Sequence, residues 1–291
     1  MSRSHAVVTL VIAAGCNAAF SLAPTEGVDP DLADAGPPPP DRDRDGIFDF
    51  EDACIVGVAE AAGDHDGDGA ANAVDPCPLE LETSHADTDG DAIADACDPE
   101  PSSPDEVRCL HLFLNPSINV ELWTPRAGDE SAWTLYETGG LYVRGGGTIV
   151  AGESFEGPQV TQYDARFTVI PSAASASVTL WLRTNVAPAS TDLGCELSGT
   201  ATQTQLSIIG ASGAPSQAQV AFGGGYGLRA TVVRDASGGT NVRCRVALTS
   251  GAALQSTATA VLPAGTVGLA ASGADVNYQG LMVYERAANP L

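Results

Sequence analysis

Lysine is absent from the 291 residues, and 13 arginines carry all of the fixed positive charge of the side chains. Chemistry that depends on a lysine amine is therefore excluded. The formal net charge is −24, and no stretch is basic, which excludes nucleic acid as a partner. Long apolar runs are also missing. The longest near the N-terminus, Ala6–Ala14, has nine residues, where a membrane-spanning helix needs about 20. No other segment is long and apolar enough to cross a bilayer. Helical periodicity is missing too: no run shows a convincing 3.6-residue repeat.

What is present is unevenly spread. Residues 37–108 carry 21 acids and three arginines, while residues 109–291 carry 12 acids and nine arginines. The acidity belongs to one segment. The chain is long enough for one or two domains with a sizeable core.

Residues 1–15 read as an export signal, with Arg3 ahead of the apolar run and "AAGC" at 13–16 closing it. This resembles the lipobox of bacterial lipoproteins. The resemblance implies lipidation of Cys16, a membrane partner through that anchor, and, since Asn17 rather than Asp follows, the outer membrane. The location implied is the cell envelope, facing the exterior or the periplasm. An ordinary cleaved signal with an incidental cysteine is the competing reading. Residues 16–40 are small and Pro-rich, end in "PPPP", and read as a tether. Without Cys16, six cysteines remain: Cys54, Cys77, Cys97, Cys109, Cys195 and Cys244. An even number in an exported chain suggests three disulfides.

Residues 41–104 repeat. "DRDRDG" begins at 41, "DHDGDG" at 64 and "DTDGDA" at 87, at intervals of 23. Hydrophobic periodicity is nearly absent here, so no apolar core is expected and something else must order the segment. The first loop places Asp41, Asp43, Asp45, Asp49 and Asp52 at positions 1, 3, 5, 9 and 12, with Gly46 at 6 and the Ile47 carbonyl at 7. The second has Asp64, Asp66, Asp68, Ala70, Asn72 and Asp75 at positions 1, 3, 5, 7, 9 and 12. The third has Asp87, Asp89, Asp91, Ile93, Asp95 and Asp98, with Ala92 in place of glycine at position 6. Alternate carboxylates in a tight loop converge on one point, and a glycine at position 6 permits the sharp turn. This is the ligand spacing of an EF-hand-like Ca²⁺ loop. A merely solvated acidic linker would not repeat the spacing three times.

"DRDRDGIFDFEDAC" and "DHDGDGAANAVDPC" resemble thrombospondin type-3 repeats in their longer form. "DTDGDAIADACD" at 87–98 resembles the shorter form, with Ala92 and Ala94 replacing glycines and "ETSH" at 82–85 replacing the usual Asn-Pro-x-Gln. The resemblance implies that each repeat wraps calcium, here as a structural ion, and that a disulfide crosses a 20-residue interval. Cys77–Cys97 fits that interval, leaving Cys54 and Cys109. The competing pairing is Cys54–Cys77 with Cys97–Cys109.

From about residue 107 to 286 the composition changes to Val, Leu, Thr, Gly and Ala. Alternating runs at 163–169, 177–183, 204–209, 217–222, 227–234, 241–248 and 275–284 predict an antiparallel β-sandwich or barrel. The fold class is mainly β. Alternation puts Val178, Leu180 and Leu182 on one face, with Thr179, Trp181 and Arg183 on the other. Cys195 and Cys244 both fall in the core-facing phase, which predicts a bridge between them. "YDARFTV" at 163–169, "ASVTLWLRTN" at 176–185, "YGLRATVVRD" at 226–235 and "GTVGLAASGADVNYQGLMVYE" at 265–285 resemble concanavalin A-like (laminin G-like) jelly rolls. Members of that fold often bind carbohydrate, and some hydrolyse it.

The glucanase branch of that fold carries E-x-D-x-E on one strand, and no such triplet occurs in 109–291. Glu153 and Glu156 are spaced to face opposite ways on a strand. No nucleophile motif surrounds His111. The glycine clusters 145–147 and 223–225 read as hairpin turns or bulges. The expectation is therefore no enzyme. A binding site at Trp181 and Arg183 is expected if they line an open face; otherwise Trp181 packs beneath a loop. Trp123, Trp133, Tyr142 and Tyr226 are either core or rim. The function expected is calcium-dependent surface display of a jelly roll that binds glycan or another extracellular polymer. A jelly-roll hydrolase and a purely structural envelope component are the alternatives.

Overall fold

Fifteen strands make up the regular secondary structure of the described residues in the computed structural model. It describes residues 66, 68–71, 75–80, 84–112, 123–126, 132–135, 140–151, 160–184, 192–234, 240–248, 253–262 and 265–286. The export signal, Cys16, the tether, the first acidic loop and Cys54 lie outside the described residues.

Two antiparallel sheets face each other. The first runs, in spatial order, β13 (Ala253–Ala260), β12 (Thr240–Ala247), β11 (Gly224–Arg234), β6 (Val160–Pro171), β15 (Ala274–Arg286), β4 (Leu141–Val143) and β3 (Trp133–Leu135). An eighth strand, β1 (Asp105–Leu112), pairs with the second half of β15. The second sheet runs β10 (Ser216–Ala218), β9 (Thr204–Ile209), β8 (Leu193–Gly199), β7 (Ala176–Thr184), β14 (Thr266–Ser272), β5 (Gly146–Ala151) and β2 (Trp123–Pro125). This is a jelly-roll β-sandwich.

The expected alternation holds across most of the core. Val178, Leu180 and Leu182 are buried, as are Val242, Cys244, Val246 and Leu248. The Cys195–Cys244 disulfide joins the two sheets from those inward phases. Burial on this scale stabilises by roughly 25 cal/mol per Å² of apolar surface. Trp123, Trp133 and Tyr226 are core residues. Tyr142 is at the rim, where its hydroxyl donates to Asp275 at 3.0 Å.

Several local expectations need correction. The run at 217–222 forms only the short β10, and the chain then bends to bury Phe222 in the core. Gly145–Gly147 is no hairpin: it carries the chain from β4 in one sheet to β5 in the other, with φ values of 72°, 143° and 151°. β13 alternates in burial but not in hydrophobicity, because its inward phase reads Leu254, Ser256, Ala258, and the buried Ser256 hydroxyl donates to the Ala214 carbonyl.

Candidate calcium centres and the sheet beneath them

Among the described residues, 66–104 contain neither helix nor strand, only turns and bends built on aspartates. Asp66 Oδ1 accepts from the N–H of Asp68, Asp68 Oδ1 from Ala70, and Asp75 Oδ1 from Cys77. Each bond spans two residues, the Asx-turn geometry that bends a chain tightly. The second oxygens of Asp66 and Asp68 are buried with no hydrogen-bond partner. Ligand atoms of Asp68, Asp75 and His85 lie within 4.8 Å of one another. Asp64 and Asn72 lie outside the described residues.

The third loop repeats the device. Asp87 accepts from the N–H groups of Gly90 and Ala92, and Asp91 Oδ1 from Ile93. Carboxylate oxygens of Asp87, Asp89 and Asp91 lie within 4.8 Å of one another. Gly69 and Ala92 occupy position 6 of their loops, with φ of 101° and 73°. Ala92 is the one non-glycine residue with positive φ among those described. The turn at position 6 thus forms even where a Cβ opposes it. Asp95 behaves differently from a simple ligand: both its oxygens accept from Thr88, one from the N–H and one from the hydroxyl, each at 2.8 Å. It closes the loop. Asp98 Oδ1 accepts from Glu100.

The donor set fits calcium. Buried carboxylate oxygens without partners are costly, and Asp66, Asp68 and Asp89 each carry one. Burial above all, then neighbouring carboxylates, lifts Asp98 to about 6. Burial likewise lifts Asp105 to about 7, with Asp98 its foremost charged neighbour. A hard divalent cation, which takes about six to eight oxygens, removes both penalties at once. Asp66, Asp68 and Asp75 would hold it in the second loop, and Asp87, Asp89 and Asp91 in the third. The alternating spacing did not point to His85 or Asp105. His85 comes from the segment that departs from the repeat pattern, and its nitrogen is a softer donor than calcium favours.

The expectation that this segment has no apolar interior is corrected. Cys77, Leu79, Ile93, Ala94 and Cys97 form a small buried cluster completed by Met282 and Tyr284 of β15. The Cys77–Cys97 disulfide, the pairing implied by the type-3 resemblance, lies within it. Cys109 falls on β1. Polar ties surround the apolar contact. Gln162 donates to the Cys97 carbonyl at 2.7 Å, and Arg166 to the Leu79 carbonyl at 3.1 Å. Arg229 holds buried Asp164 with two bonds of 3.0 and 2.9 Å, and also reaches the Ala96 carbonyl and Glu80. Arg286 pairs with Glu100. The described part of the array from Cys77 onward therefore lies on the outer face of the first sheet, across β6, β11 and β15, and covers it.

The outer face of the second sheet carries Thr179, Trp181, Glu196, Ser198, Gln205 and Ser207. Arg183 does not join them. Register shifts on both sides of β7, near Trp181–Arg183, mark a bulge, and one extra residue inverts the phase that follows. Arg183 is consequently 2% exposed. Its guanidinium donates to the Tyr163 hydroxyl and the Leu182 carbonyl, inside the sandwich. Trp181 stays outside and half-buried, with the Arg126 guanidinium 5.6 Å from its ring centre. Arg126 is fixed there by Asp192 at 2.7 Å and by the Thr184 hydroxyl. The expected Trp181–Arg183 platform is thus replaced by Trp181 with Arg126. Burial raises the Glu196 carboxyl, offset in part by a hydrogen bond from Ser177.

No protein-family model and no curated protein sequence matches the chain. Solved structures with a similar sandwich include the Bacillus licheniformis β-glucanase, at 11% identity over 60% of this chain and 96% of that one, TM-score 0.45. A legume lectin-like domain from Entamoeba histolytica is 11% identical over 61% of this chain and 97% of its own, TM-score 0.44. A Bacillus subtilis protein of unknown function with a galectin-like fold is 9% identical over 63% and 97%, TM-score 0.41. The assignment of a jelly roll stands on the two sheets and their pairing.

Proposed function

We propose that this chain is a calcium-dependent recognition protein of the cell envelope, exported and anchored through Cys16. Calcium orders the aspartate loops, the ordered array seals the outer face of the first sheet, and the second sheet's outer face binds an extracellular polymer, a glycan foremost. The observation that carries this reading is the set of buried, unpartnered oxygens on Asp66, Asp68 and Asp89, in loops whose spacing recurs. The choice of face follows from coverage: β6, β11 and β15 lie beneath the array, while Trp181 remains partly exposed on β7.

Binding is proposed rather than hydrolysis. Glycoside cleavage ordinarily takes two carboxyl groups flanking the bond. Among the described strand residues of the second sheet's outer face, Glu196 is the one carboxylate. The test is a glycan-array screen of the purified protein with calcium and with chelator, repeated for Trp181→Ala. Calcium-dependent retention of a polymer, lost in Trp181→Ala, is expected. Product release from any retained glycan would replace the binder by a hydrolase. Neither binding nor turnover would leave a structural envelope component.

A further inference from the structure

Asp105 begins β1, and nothing in the repeat spacing marks it: it lies seven residues beyond the last position of the third loop. Yet it is 3% exposed, and neither of its carboxylate oxygens has a hydrogen-bond partner. A side chain so placed on a soluble domain would ordinarily find a donor, a water or an ion. The charged groups around it are mostly wrong for a salt bridge. Asp98, Glu100 and Asp91 are its acidic neighbours, and the cation near it among the described residues, Arg286, is half-exposed and bonded to Glu100. Its backbone, in contrast, is well fixed. The Asp105 N–H donates to Asp91 Oδ2 at 2.7 Å, while Asp91 Oδ1 accepts from Ile93. The position-5 aspartate of the third loop therefore bridges the loop and the first strand of the sandwich.

We propose that Asp105 is a metal ligand supplied by the sandwich: a divalent cation, Ca²⁺ by its all-oxygen surroundings, lies between Asp105 of β1 and Asp98, beside Asp91. This rests on the reading that the loops bind calcium, and adds a residue from outside them. The consequence is mechanical. β1 pairs with Gly280–Arg286 of β15, the same stretch that carries Met282 and Tyr284 beneath the array and Arg286 against Glu100. A cation held on one side by the loop and on the other by β1 staples the array to the sheet, so that calcium is felt inside the sandwich. A further role for the acidic neighbours follows: they set the site's charge, and mutual repulsion loosens the junction when the ion is withdrawn.

The test compares the full chain with Asp105→Asn and with Asp87→Asn, which alters a loop ligand only. Calcium is titrated by calorimetry into chelator-stripped protein, and backbone hydrogen exchange is followed with and without calcium. In the unsubstituted chain calcium is expected to raise protection in β1 and in residues 280–286. Asp105→Asn is expected to lose one calcium equivalent, or to weaken one site at least tenfold, and to lose that protection. Asp87→Asn is expected to weaken binding while retaining part of it. The amide is isosteric and uncharged, so folding is preserved. If Asp105 were only a buried neutral acid, Asp105→Asn would bind calcium with unchanged stoichiometry and affinity, and the proposal would be overturned while calcium binding stood. Absence of calcium binding in the unsubstituted chain would instead overturn the underlying reading, and this assignment with it.

Discussion

Replacing Ala92 by glycine should tighten calcium binding at the third loop. Ala92 sits at φ 73°, in the left-handed region. Its side chain is exposed, and its N–H donates to Asp87 Oδ2 at 3.0 Å. An L-residue in that region costs roughly 1–2 kcal/mol relative to glycine. Glycine removes the cost but widens the unfolded ensemble, which returns about 0.4–1 kcal/mol. No packing is lost, because the methyl group faces solvent. The net gain is about 0.5–1 kcal/mol. If the loop orders as it binds the ion, that gain appears as an affinity about two- to fivefold higher. Calorimetric titration of the stripped protein measures it. Gly69→Ala provides the mirror experiment. Gly69 has φ 101°, and a Cβ there meets nothing within 4 Å, so the penalty is purely conformational. That variant should bind its ion more weakly by a similar factor. Equal or weaker binding in Ala92→Gly, or unchanged binding in Gly69→Ala, would refute the idea that the left-handed turn at position 6 belongs to the ion-bound loop.

Arg229→Ala strips a nearly buried carboxylate, Asp164, of its guanidinium and removes the ties to Glu80 and Ala96. A loss of about 3–5 kcal/mol in denaturant unfolding is expected, and a loss under 1 kcal/mol would show that the junction is solvated. Reducing the Cys77–Cys97 bridge as Cys77→Ser/Cys97→Ser frees a 20-residue interval, worth about 3 kcal/mol by loop closure. Limited proteolysis should then cut the array first and spare the sandwich with its separate Cys195–Cys244 bridge; simultaneous loss of both would contradict this. Stability in chelator should depend on pH. Folding raises Asp98 to about 6 and Asp105 to about 7, by burial first and neighbouring carboxylates second. A carboxyl raised in this way keeps its proton in the folded state while the unfolded chain has lost its own. Its stabilising contribution is complete below about pH 4 and disappears as pH climbs through 6 to 7. Thermal melts in chelator should therefore fall across that window, and calcium added near pH 6 should release protons. Melts that rise with pH, or calcium uptake without proton release, would be inconsistent with those two buried acids.

Local chemistry was legible in the chain wherever a short-range rule governs. Alternation located the inward faces of β7, β8 and β12, and with the last two the Cys195–Cys244 bridge, because side chains on a strand point alternately to its two faces. The aspartate spacing located the turns of the second and third loops, because an Asx turn needs only a carboxylate and the N–H two residues on. What depends on distant partners was not legible. The bulge that sends Arg183 inward adds one residue without any compositional mark, and it is visible only against β8 and β14. The docking of the array leaves one trace in the sequence. "LMVY" at 281–284 is apolar in both phases, as expected of a strand covered on both faces. Which segment covers it, and why Asp105 is buried among carboxylates, depends on residues far apart in the chain, 186 positions in the case of Glu100 and Arg286. Alternation and motif spacing report a residue's own neighbours along the chain; only the folded sheet decides which two segments share a low-dielectric contact.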